Sequence, residues 1–157
     1  MLRTIMSVSA AAAIALTAFA VSAPVNAALH ALSPEEAHAV RSDAMKKMGG
    51  TMRTLGGLTD QQAMVDAANV YVETFANMAN WFPEGSGVGE VEGSLALPAI
   101  WDQPEEFAAE ITKAQEAAAA LLAAAEAGDT ATFAAAPRSV LGPVCGECHM
   151  SFRQNPQ

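Results

Sequence analysis

Ser33-Pro34-Glu35-Glu36 opens the segment from which the architecture can be read. A hydroxyl stands ready to cap, a proline takes the first helical position, and a glutamate can return a bond to the capping residue. Behind them Ala37, Val40, Ala44, Met48, Met52 and Leu55 recur at steps of three and four. That spacing is one apolar face of a helix, which Gly56 and Gly57 are expected to end. The same grammar returns further along. Thr59 with Gln62 predicts a second capping box, ahead of the stripe Met64, Ala67, Tyr71, Phe75, Met78 and Phe82. Pro83 and the glycines at 85, 87, 89 and 93 stop that helix. A third is expected from near Asp102 through Phe107, Ile111, Ala114, Ala118, Leu121 and Ala125 to Gly128. A fourth starts at Asp129, and Pro137 and Pro143 predict a break or kink inside it.

Aromatic residues make up only 6% of the chain and helix formers dominate, so strands are not expected and the class is all-α. Four amphipathic segments, two short turns and one long connection read as an antiparallel four-helix bundle. The connection, residues 83–101, is long enough to require a function or tight packing, and Leu97 and Trp101 are its expected anchors.

The start of the chain reads differently. Arg3, an apolar run over residues 10–21 and the small residues of 22–27 make a secretory signal peptide, cleaved before Ala28. The run is too short to span a bilayer. Residues 1–27 are therefore expected to be removed, leaving 28–157 as one domain in the periplasm, with no membrane span. Seventeen acidic side chains against eight basic ones, a net charge of −9, argue against a nucleic-acid partner, which would need a basic footprint.

Only two cysteines occur, in Val144-Cys145-Gly146-Glu147-Cys148-His149. A disulfide between them would close too small a loop to stabilise much. Structural zinc lacks its paired ligands, and a thioredoxin-type pair lacks its βαβ setting. Cys-x-x-Cys-His is instead the attachment motif of a c-type haem. On a helix, positions i, i+3 and i+4 share a face, so both thiols and the imidazole look one way. Cys145 and Cys148 would form thioethers to a single covalently attached haem c, and His149 would ligate its iron. His30 and His38 have no partner cluster and read as exposed. No phosphate loop, His-Glu-x-x-His helix or Ser-His-Asp set is present, and no enzymatic role is expected.

At this point the chain resembles the class II cytochromes c, cytochrome c′ and its low-spin relatives. Cys145-Gly146-Glu147-Cys148-His149-Met150-Ser151-Phe152-Arg153 is similar to that family's last helix, Arg41 and Met45 to its first, and Trp81-Phe82-Pro83-Glu84-Gly85 with Pro98-Ala99-Ile100-Trp101 to its middle connection. The resemblance implies that Arg41 and Arg153 sit near the haem edge, able to pair with propionates, and that Met45 lies over the iron. Met45 then either coordinates, giving a six-coordinate low-spin haem suited to electron transfer, or is flexible packing beside an open site. The first reading makes the protein a carrier between periplasmic redox proteins. The second makes it a binder of the diatomic gases nitric oxide and carbon monoxide. Members of the family are often homodimers through their first two helices; the stripes here do not distinguish monomer from homodimer.

Overall fold

Ser33 caps α1 (Pro34–Met52) as its sequence requires. Its hydroxyl accepts from the Glu36 amide at 3.2 Å, and the Glu36 carboxylate accepts from the Ser33 amide at 2.8 Å. The computed structural model describes residues 32–155, so the expected signal peptide, with its cleavage point, and His30 lie outside the described residues. α1 ends earlier than its glycines predict. Thr54 turns both its amide and its hydroxyl onto the Thr51 carbonyl, each at 2.9 Å, which closes the helix. Leu55–Gly57 then form one tight 3₁₀ turn that buries Leu55 completely.

α2 (Gln61–Asn77) begins on Asp60, not on the capping box expected from Thr59. Asp60 Oδ1 accepts from the Ala63 amide at 2.9 Å, while Gln62 bonds Asp66 one turn on. A carboxylate caps as well as a hydroxyl and also meets the positive end of the helix dipole, so the later residue wins. A short 3₁₀ turn, Met78–Trp81, leads into the long connection. That connection carries a single helical turn, α3 (Ala99–Asp102), immediately before α4 (Pro104–Glu126).

The fourth segment is α5 (Thr130–Ala136), a π turn at Pro137–Leu141, and α6 (Gly142–Phe152). The break expected at the two prolines is thus absorbed as one widened turn, and the chain stays helical through it. Pro137 and Pro143 each lack an amide hydrogen, and the wider turn lets the Gly142 amide donate to the Pro137 carbonyl five residues back. The fit is close. A Cβ on Gly142 would stand 2.7 Å from that carbonyl oxygen.

Together these segments form the expected antiparallel four-helix bundle. α2 packs most extensively against α4, because α4 presents Ala114, Ala117, Ala118 and Ala125 where a larger side chain would hold the helices apart. From α2, Met64, Ala68, Tyr71 and Phe75 fill the seam. Tyr71 is wholly buried, and its hydroxyl donates to the Met48 carbonyl of α1 at 2.9 Å, so the polar tip is satisfied. The long connection is packed down: Leu97 donates to Phe152 at 3.0 Å, Gln154 to Leu95 at 2.8 Å, and Trp101 Nε1 to the Phe82 carbonyl at 3.0 Å. A bridge between Ala96 and Arg153 is the one piece of strand pairing among the described residues.

Gly142→Ala should lower stability by about 1–3 kcal/mol, because its methyl has no room inside the widened turn. Urea denaturation followed by far-ultraviolet circular dichroism reads this directly.

Candidate cofactor site

Two cavities meet where α1 and α6 face each other. The larger, about 310 Å³, is bordered by Arg41 and Met45 from α1 and by Cys148, His149 and Arg153 from the chain end. The smaller, about 40 Å³, is bordered by Met45, Cys145, Cys148 and His149. Every site residue singled out from the sequence therefore borders one cavity or the other. Met45, Cys148 and His149 border both.

The wall is apolar and aromatic. Phe107 stands edge-on to Phe82 at 4.8 Å and to Phe152 at 5.1 Å between ring centroids, and all three rings line the larger cavity. Met78, on the turn after α2, lines both cavities as well. From sequence it reads only as part of the α2 stripe. His38, expected at the surface, is half-buried and forms part of the wall, with Gly93 of the connection across from it. The signal was available: His38, Arg41 and Met45 follow one another at steps of three and four, a single helix face. Ser42, Lys46 and Ser94 at the larger cavity and Glu110 at the smaller are further polar residues that sequence reasoning missed.

Arg41 does more than line the cavity. Its guanidinium is buried, donates to the Trp81 carbonyl at 2.5 Å, to Ser86 Oγ and O at 2.9 and 2.7 Å, and to Ser94 Oγ at 3.4 Å, and lies 4.7 Å over the Phe82 ring. Burial works against its charged form and lowers its pKa. The acceptors around it are all on the connection, so the arginine fastens residues 81–94 across α1.

The two cysteines are free and half-buried. Burial pushes both thiols up, Cys148 to about 11, with the charges of Glu110 and Cys145 adding to it. Reactive redox dithiols carry the opposite, a depressed pKa. Among the described residues no three His, Cys, Asp or Glu side chains gather to hold an ion. His149 is lowered by burial and then by Arg153, which keeps the ring neutral and available to a metal.

These residues suit a haem. The larger cavity is bordered by Arg41, Lys46 and Arg153 and by no acidic side chain, in a chain with more than twice as many acids as bases. A flat apolar group with a negatively charged edge matches that lining. A family model described as cytochrome C′ matches residues 36–153. The chain belongs to the cytochrome c′ family. Cytochrome c-554 of Cereibacter sphaeroides is 39% identical over 121 residues, covering 73% of this chain and 78% of its own. Among solved structures, the cytochrome c′ of Thermochromatium tepidum superimposes with a TM-score of 0.68 at 27% identity, covering 80% of this chain and 99% of its own. Another cytochrome c′, described for its ligand-controlled dimer dissociation, has a TM-score of 0.69 at 25% identity over 79% of this chain and 98% of its own. As in the rest of the cytochrome c′ family, the cofactor is a covalently attached haem c.

Arg41→Ala should cost at least about 2 kcal/mol, since it removes several charge-assisted bonds and strands buried serine and carbonyl oxygens. Faster hydrogen exchange at the Val88 and Leu97 amides, with exchange in α4 unchanged, would report a loosened connection.

Proposed function

We propose that this cytochrome c′ family member is an exported electron carrier. Cys145 and Cys148 would hold its haem by thioether bonds, and His149 and Met45 would be the ligands of its iron. The observation that carries this reading is that Met45 on α1 and His149 on α6 border the same two cavities. When bound, the haem supplies a one-electron couple, and a Met/His ligand pair raises its potential into a range suited to electron transfer. The protein's part is to hold that group still, keep water off it with Phe82, Phe107 and Phe152, and present neutral ligand atoms from two helices.

Arg153, at the mouth of the larger cavity, is assigned to a haem propionate. Arg41 keeps that role only through whatever donor its bonds to the connection leave over; its first task in this reading is to hold the cover in place. The partners are other exported redox proteins. No described helix is long and apolar enough to cross a membrane. A homodimer through α1 and α2 belongs to the same reading, supported by the dimer described for the relative of similar fold.

Protein matured in a cell competent for cytochrome assembly should have the mass of residues 28–157 plus one haem. Cys145→Ala with Cys148→Ala should remove the covalent haem. The ferrous protein should show narrow, split low-spin bands insensitive to carbon monoxide. Met45→Ala should convert them to broad bands that shift on adding the gas, whereas Met78→Ala should not. A wild-type spectrum that is broad and gas-sensitive from the outset would replace the carrier with a protein that binds nitric oxide or carbon monoxide at an open distal site.

A further inference from the structure

Glu110 is the one acidic side chain that borders either cavity of the site. It lies on α4 and faces the smaller cavity beside Cys145, Cys148 and His149. Its Oε1 accepts from Lys113 Nζ at 2.6 Å. Its Oε2 is buried without a hydrogen-bond partner, the only side-chain polar atom so placed among the described residues. An ion pair one turn along a helix needs no such burial, and a buried oxygen without a donor is a cost that stability alone does not explain. Lys113 is half exposed and also reaches Glu147 at 3.5 Å, one of the two residues between the cysteines. One solvated cation thus serves two carboxylates. The charge of Glu110 is felt inside: after burial, it is the next cause of the upward shift at Cys148.

We propose that Glu110 sets the reduction potential of the haem by holding negative charge in the wall of its site. Oxidation adds one positive charge to the cofactor, and a carboxylate in a low-dielectric wall stabilises that form more than a solvated one could. Lys113 offsets only part of the effect, because water and salt screen it on its open side. Arg41, Lys46 and Arg153 at the larger cavity act the other way, favouring the reduced form. Glu110 is therefore the counterweight in a site otherwise bordered by cations. The inference rests on haem attachment at Cys145 and Cys148, which the mass measurement checks by itself, and holds whichever group occupies the distal side.

The test is spectroelectrochemical titration of the mature holoprotein and of Glu110→Gln, Lys113→Gln and Glu147→Gln. Glu110→Gln should shift the midpoint upward, so that at the wild-type midpoint the ratio of reduced to oxidised haem rises several-fold. Lys113→Gln should shift it downward. Glu147→Gln, exposed, should move it far less than Glu110→Gln. The proposal is overturned if Glu110→Gln keeps the wild-type bands and the wild-type midpoint, if Lys113→Gln moves the midpoint upward, or if Glu147→Gln matches Glu110→Gln. Should Glu110→Gln alter the bands or fail to mature, Lys113→Gln decides alone: a downward shift supports the proposal, and no shift or an upward one overturns it.

Discussion

A guanidinium withdrawn from water is tolerated only where oxygen atoms replace the water, and around Arg41 all of them come from the connection between the second and third long helices. That requirement organises half of the site. Ser86 and Ser94 are buried because the arginine needs them, and Ser94 also donates to the Ser86 carbonyl at 2.8 Å, so the loop is bonded to itself around the charge. Phe82 lies beneath the guanidinium and against Phe107, which carries the constraint from α1 to α4. The aromatic wall of the haem site is thus held by a polar contact at one end and by ring packing at the other.

The same economy governs charge. An acidic chain borders its larger cavity with cations and, Glu110 apart, keeps its carboxylates for helix starts and solvent, as Asp60, Asp129, Glu105 and Glu106 illustrate. Burial of Cys145 and Cys148 favours their thiol form, and burial of His149 favours its neutral ring.

Much of this is legible in the chain because it is written in local periodicity. The stripes of α1, α2 and α4 and the face shared by Cys145, Cys148 and His149 follow from spacing alone; the α4 stripe is buried throughout, whereas α2 buries Ala68 in place of Ala67 and α1 buries Ala37, Met48 and the unexpected Arg41. What escapes is settled by competition or by distance. Asp60 displaces Thr59 because two adjacent residues can cap and only one does. Pro137 and Pro143 look like interruptions until Gly142 allows a wider turn between them. Glu110 with Lys113 has the spacing of an ordinary surface pair, and only the docking of α6 on α4 encloses one of its oxygens. His38 gains its place in the wall from a loop more than fifty residues away in sequence, which no short window contains.

The bridge from Ala96 to Arg153, flanked by the bonds of Leu97 to Phe152 and of Gln154 to Leu95, ties the connection to the end of α6. The connection's second anchor is made of the last few described residues, only a handful beyond His149. Without residues 152–154 the connection would lack the backbone edge on which it seats. Leu95, Ala96, Phe152 and Arg153 all border the larger cavity, so this backbone seam and the cavity wall hold or loosen together.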